Sequence, residues 1–355
     1  MSTTLPRLHT GVGYALLAAG LFGASTPFAK TLLGQVSPLL LAGLLYAGSG
    51  LGLALWLLWR HLAGRISGDA PLAARDMPWL AGAVVFGGIL GPALLMFGLQ
   101  YVTAADASLL LNLESVLTAL LAWLVFRENV DRRIVLGMGA IVLGGVLLSW
   151  APQTGGAVSW GVIGIAGACL CWAIDNNLTR AVSSGDPVQI AAIKGAVAGT
   201  INVSLALALG ASLPTWGPLL GAAAIGLLGY GVSLVMFVLA LRHLGTARTG
   251  AYFSTAPFVG ASLSLLLLGE SPTMMFWIAG GLMALGVWLH VSERHVHEHT
   301  HEDLEHDHRH RHDAHHQHAH DFEWDGTESH THHHRHRPMT HSHPHYPDMH
   351  HRHRH

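Results

Sequence analysis

Polar side chains that could carry chemistry cluster in one stretch of an otherwise apolar sequence. Residues 169–195 hold Asp175, Asn176, Asn177 and Lys194, with apolar segments on both sides. An ionisable side chain inside a lipid bilayer is costly and normally faces a water-filled cavity or the interior of a helix bundle. We therefore expect these four residues to shape a polar solute site, with the asparagines either binding the solute or joining helices.

Glu114 is the first candidate for coupling solute movement to an ion. It lies about 11 residues into the fourth apolar segment, which at 1.5 Å per residue places it roughly 16 Å deep, near the bilayer centre. A carboxylate at that depth can bind and release a proton as water access alternates between the two sides. The alternative is a neutral glutamic acid that hydrogen-bonds a neighbouring helix. Asn112, two residues earlier, is a further candidate solute contact.

Two pairs of opposite charges lie at matching depths and suggest gates. Asp175 lies near the end of the sixth apolar segment, and Lys194 lies about seven residues into the seventh from the same side. Lys30 and Asp106 both lie within about a turn of the opposite surface. Each pair predicts an ion pair, and the two pairs could close alternately. The alternatives are static clamps and, for Lys30, extension of the ammonium group to the interface.

Ten apolar segments of about 20 residues position these side chains in a membrane. Arginine is found in every connection on one side, whereas the connections on the other side contain neither lysine nor arginine. Cytoplasmic loops accumulate positive charge, so both termini are predicted to be cytoplasmic. The predicted spans are 11–33, 38–59, 79–98, 103–126, 133–150, 159–178, 188–209, 216–241, 247–269 and 273–291.

The apolar part of the chain repeats itself. Residues 99–128 align with residues 241–270 at a constant offset of 142, and residues 23–38 align with 173–187 with one residue dropped. Spans 1 to 5 therefore correspond to spans 6 to 10. Because five is odd, the two halves cross the membrane in opposite senses, an arrangement found in many secondary transporters with the solute site between the halves.

The chain resembles the EamA-type transporters of the drug/metabolite transporter superfamily over about residues 11–291. The resemblance rests on the two repeats, on LLLLGE followed by SPTMMFWIAGGLMALGVWL (265–289) and on the weaker copy LVFRE (124–128). It implies ten helices, inside termini, a central cavity and transport of small organic solutes, often outward. The first repeat departs from the pattern, since Ser115 stands where the second repeat has Pro257.

The C-terminal end of the chain is a different polymer, since 25 of the 28 histidines lie from His290 onward. Such a segment cannot bury a core and is predicted to be disordered. Closely spaced imidazoles bind nickel, cobalt, zinc and copper. The tail could serve a metal that the membrane part exports, regulate transport of an organic solute, or respond to pH. The metal-binding residues predicted first are His295, His297, His299, His301, His306, His308, His310 and His312.

The sequence thus predicts an all-α membrane protein of ten transmembrane helices in two inverted five-helix repeats, 1–150 and 151–292, followed by a tail, 293–355. We expect an exporter in a bacterial inner membrane, in contact with lipid, whose solute is a metal ion or a small molecule. An amino-acid or metabolite transporter and a metal sensor without transport are the alternatives. No catalytic or nucleotide-binding motif lies in the spans, so neither an enzyme, a required cofactor nor a nucleic-acid partner is expected.

Overall fold

In the computed structural model, the described residues of the membrane part form ten helices. The structure describes residues 5–65, 72, 74–126, 132–149, 159–182, 185–244, 246–292, 296–301, 304–310, 330–336 and 339–344. In chain order the helices are α1 (Leu5–Leu32), α2 (Pro38–Leu62), α3 (Met77–Ala83, Val84–Leu90 and Gly91–Gly98), α4 (Ala104–Leu110 and Leu113–Phe126), α5 (Arg132–Ser149), α6 (Trp160–Val182), α7 (Pro187–Ala208), α8 (Trp216–Gly226, Leu227–Val232 and Ser233–Leu244), α9 (Thr246–Phe253 and Ala256–Leu268) and α10 (Met274–Val291).

These helices match the predicted spans one for one. Within the described residues, nine helices are long and apolar enough to cross a membrane, and a shorter apolar helix, Met274–His290, is the tenth. Large apolar side chains face outward, as at Leu51, Leu136 and Leu266, which are 65%, 65% and 79% exposed. Lipid chains cover such a surface without the cost of exposing it to water. The predicted all-helical membrane fold is confirmed.

Helices α3 and α8 share an interruption at equivalent positions. Each contains a π-helical segment, Val84–Leu90 in α3 and Leu227–Val232 in α8. The offset of 142 found in the sequence carries residues 84–90 onto 226–232. Segments of π-helix are rare and often occur at functional sites. Their shared position indicates that the sequence repeat is also a structural repeat.

Helices α4 and α9 are broken at nearly equivalent points. In α9 the break precedes Pro257, whose ring removes a backbone donor. In α4 the break has no proline. There the backbone tightens, with Asn112 N donating to Leu109 O and Glu114 N donating to Leu111 O, both at 3.0 Å. Ser115 in place of proline therefore leaves the break in α4 intact.

Helices α2 and α7 approach each other backbone to backbone, and glycine allows it. A Cβ atom added to Gly50 would lie 2.2 Å from Ala196 N, and one added to Gly195 would lie 2.4 Å from Gly50 N. Close contacts through small residues are the usual way in which helices associate in lipid. Since α2 belongs to the first half and α7 to the second, this contact joins the two halves.

The C-terminal part forms a unit of its own. Its described segments are four strands, β1 (Val296–His301), β2 (Leu304–His310), β3 (His330–His336) and β4 (Met339–Pro344). β1 pairs antiparallel with β4, and β2 pairs antiparallel with β3. The predicted disorder of the tail falls mainly on residues outside those described.

Candidate functional site

Glu114 lies in the first turn of the second segment of α4, directly after the break. Its Oε1 atom accepts a hydrogen bond of 2.8 Å from Asn176 Nδ2 on α6, and its side chain is half-buried. The bond joins a helix of the first half to one of the second half. Glu114 is thus a carboxylate inside the bundle whose hydrogen-bond partner is a neutral amide.

Lys194 and Asp175 form a buried ion pair. Lys194 Nζ lies 2.6 Å from Asp175 Oδ1 and 2.8 Å from Oδ2, and the two residues are 2% and 7% exposed. Thr179 donates to Asp175 Oδ1 at 2.8 Å and lies 3.3 Å from the ammonium group. Because both charges have lost water, each depends on the other for compensation. Gating by this pair stays a prediction.

Lys30 and Asp106, the other predicted pair, do not meet. Lys30 Nζ donates to the carbonyl oxygens of Leu99 and Val102, the latter at 2.8 Å, where α3 ends. Carbonyl groups at a helix C-terminus carry partial negative charge and attract a cation. The backbone N–H of Asp106 donates to Thr103 Oγ1 at 3.0 Å. The ion pair on which this gate depended was therefore wrongly predicted.

Asn112 and Asn177 both donate side-chain hydrogen bonds to backbone carbonyl groups. Asn112 Nδ2 donates to Leu109 O at 3.0 Å and satisfies a carbonyl near the break in α4. Asn177 Nδ2 donates to Ala173 O at 2.8 Å, one turn back on its own helix. Of the three predicted amides, Asn176 alone lines the cavity described below.

A cavity brings Glu114, Asn176, Asp175 and Lys194 together between the two halves. About 480 Å³ of space free of protein atoms, part of it open to solvent, lies among residues of α1, α2, α4, α6, α7, α8 and α9. The π-helical segment of α8 contributes Gly229 and Tyr230 to the wall.

Six aromatic residues also line this cavity, and we call them the aromatic cluster: Phe22, Tyr46, Trp172, Tyr230, Phe237 and Phe253. Neighbouring rings have centroids 4.9–5.8 Å apart. Tyr46 Oη and Trp172 Nε1 both donate to Gly87 O, at 2.6 and 3.0 Å, in the π-helical segment of α3. These bonds fix two rings in place. Sequence reasoning missed the cluster, because aromatic residues are common in membrane spans.

Glu270 is a second residue that sequence reasoning did not select. Its two carboxylate oxygens accept hydrogen bonds from Ala104 N and Ala105 N, at 2.8 and 2.9 Å. A carboxylate at a helix N-terminus satisfies unpaired N–H groups and the helix dipole. Through these hydrogen bonds Glu270 links the α9–α10 connection to the start of α4. The signal was present in the run LLLLGE, whose acid closes a span in both repeats.

A contact between Arg60 and Asp186 joins the two halves at the surface of the bundle opposite to Glu270. Arg60 Nη2 lies 2.5 Å from Asp186 Oδ2, and Asp186 Oδ1 accepts from Val188 N at 2.9 Å. The aspartate caps α7 while the arginine extends from the end of α2. Glu270 and Asp186 thus join the halves at both surfaces of the bundle.

Among the residues that the structure describes, no group of three or more His, Cys, Asp or Glu side chains could hold a metal ion. The eight predicted tail histidines lie where the structure describes no side chains, and His295 and His312 lie outside the described residues altogether. Metal binding by the tail stays a prediction.

Comparison with known proteins gives concordant matches. The profile of the EamA-like transporter family matches residues 9–150 and 159–292. The chain is 26% identical over 281 residues to an uncharacterized transporter of Methanothermobacter thermautotrophicus, covering 76% of this chain and 82% of that protein. It is 27% identical over 298 residues to the uncharacterized transporter YyaM of Bacillus subtilis, covering 79% and 93%. One solved crystal structure has a TM-score of 0.59 at 18% identity, covering 81% and 96%, and shows a shared fold.

Proposed function

The chain belongs to the EamA-like transporter family, and we propose that it is a secondary active exporter of a small organic solute that works by alternating access. One observation carries the proposal: a carboxylate, Glu114, lines a cavity between two inverted halves and bonds across them to Asn176. When water reaches this group from one side at a time, proton binding and release can be coupled to movement of the solute.

Structural features on either side of the cavity support alternating access. Both α4 and α9 are broken beside it, and α3 and α8 widen to π-helix at equivalent positions. Broken helices near the midplane are typical of sites around which transporter halves rock. Arginine-rich connections on one side favour cytoplasmic termini in a bacterial inner membrane. We propose no enzymatic activity.

Proton flux in proteoliposomes tests this function without knowledge of the solute. Vesicles that contain the protein, a pH-sensitive dye and an imposed pH gradient are exposed to a panel of small organic solutes. We expect at least one solute to dissipate the gradient through the protein and not through empty vesicles. Glu114→Gln should abolish the solute-dependent proton movement, because the titratable group of the site is gone. Proton flux equal to wild type in Glu114→Gln would contradict the coupling role.

The histidine-rich tail favours a second candidate, export of a divalent transition metal. Everted vesicles with the full chain, with Glu114→Gln and with a chain truncated after Ser292 are assayed for uptake of labelled nickel, cobalt and zinc. Uptake lost in Glu114→Gln and only weakened by truncation supports a metal exporter with a loading tail. Uptake no different from that of empty vesicles under a proton gradient rules this candidate out. A metal sensor, the further alternative, shows no saturable flux of any solute.

A further inference from the structure

Three charged side chains line the cavity among the described residues, and two of them neutralise each other. The ammonium group of Lys194 has three N–H donors. All three have acceptors, namely both carboxylate oxygens of Asp175 and Thr179 Oγ1, at 2.6, 2.8 and 3.3 Å. Lys194 therefore has no donor left for the carboxylate or phosphate of a solute.

Glu114 is the third charge, and it has no cationic partner within the described part of the chain. Its Oε1 atom accepts from the neutral amide of Asn176, and its side chain is half-buried at the cavity wall. When ionised, it gives the cavity one uncompensated negative charge. A buried charge needs a partner of opposite sign. The solute or a proton can supply it.

The aromatic cluster selects the kind of cation. Six rings surround the space beside Glu114, and Phe22 alone neighbours three others, with centroids 5.4, 5.6 and 5.8 Å away. Ring faces attract organic cations, and their area binds apolar groups. Nickel, zinc and copper ions favour imidazole or thiolate ligands, and the described residues of the cavity wall include neither.

We propose that the transported solute is a small monovalent organic cation, an amine or quaternary ammonium compound, whose charge pairs with Glu114 and whose apolar part lies against the aromatic cluster. This inference rests on the proposed transport function and names its substrate class. The solute and a proton compete for one carboxylate, so export of the cation is linked to proton entry.

Calorimetric titration of the purified full chain tests the substrate class directly. The probe is phenyltrimethylammonium, and benzenesulfonate, which has the same ring and the opposite charge, is the control ligand. We expect saturable binding of the cation at one site per chain and none of the sulfonate. Affinity should fall as the pH is lowered, because a protonated Glu114 no longer attracts the cation.

Variants separate the charge from the rings. Glu114→Gln should weaken binding of phenyltrimethylammonium at least about tenfold and remove its pH dependence, since the ionic partner is lost. Asp106→Asn makes the same charge change on the same helix but outside the cavity wall, and should bind like wild type. Tyr230→Leu should weaken binding about three- to tenfold through lost ring contact. Tyr101→Leu, at an exposed position, is its matched control.

Two outcomes overturn the inference: stronger binding of the sulfonate than of the cation, or unchanged cation affinity in a folded Glu114→Gln chain. If the substrate class is right but the protein is not a transporter, a different result is expected. Phenyltrimethylammonium would bind with the expected variant pattern and show no flux in proteoliposomes. Coupled flux of other solutes without binding of this cation would keep the function and reject the substrate class.

Discussion

The pair of Asp175 and Lys194 shows how two opposite charges can compensate each other inside a helix bundle. Both side chains are almost fully buried, and their hydrogen bonds with each other and with Thr179 use every donor of the ammonium group. Taking two charges out of water is costly, and their attraction repays that cost only when the geometry is good. Such a pair is sensitive to loss of one partner and tolerant of loss of both.

We therefore predict that Lys194→Met is strongly destabilising and that a second change rescues it. Removal of the ammonium group leaves Asp175 charged and buried, at a cost of about 3–5 kcal/mol. Asp175→Asn in the same chain removes that charge and should restore most of the lost stability. Melting temperatures of the purified single and double variants in one detergent provide the measurement. Additive losses in the double variant would show that the two charges do not compensate each other.

At the scale of helices, the glycines between α2 and α7 determine how closely the halves approach. A Cβ on Gly50 would lie 2.2 Å from backbone of α7, and backbone cannot swing aside as a side chain can. Gly139 on α5 has no atom within 4 Å of the equivalent position. The two residues are both glycines inside membrane helices and differ in what surrounds them.

Gly50→Ala should lower the melting temperature of the protein, whereas Gly139→Ala should leave it unchanged or raise it. The first substitution forces α2 away from α7 and costs about 1–3 kcal/mol, as overpacking does elsewhere. The second gains the helix preference of alanine, up to about 1 kcal/mol. The pair is compared by thermal unfolding in one detergent. Equal responses at the two positions would indicate that α2 and α7 are not in backbone contact.

The helices and their charged side chains differ in how well the sequence predicts them. The ten spans and the repeat were predictable, because hydropathy and a constant offset are properties of the sequence itself. Asp175 and Lys194 stood out because charge is rare in the spans. Glu270 did not, because a carboxylate at a span end is ordinary until its backbone partners are known. Lys30 was paired wrongly for a related reason, since depth along a helix does not give direction around it.

At the scale of the whole molecule, most of the histidines and the cavity with Glu114 lie in different parts of the chain. Among the described residues of the helical part no metal site exists, and its cavity offers one carboxylate amid aromatic rings. Of the 28 histidines, 25 lie from His290 onward. The helical part and the C-terminal part are also separate compact units. Loss of the tail should therefore remove metal binding and spare the fold of the helical unit.

This separation leads to a prediction for a chain truncated after Ser292. Titrated with Ni²⁺ near pH 7.5, the full chain should bind several ions and the truncated chain none, while both melt within about 2 °C of each other because the ten helices are intact. Imidazole binds metal only when neutral and titrates near pH 6.5, so binding by the full chain should fade as the pH drops below about 6. Glu114→Gln in the full chain should leave this binding unchanged. Retention of Ni²⁺ by the truncated chain would place a metal site among the helices, and the cavity would then have to be considered as that site.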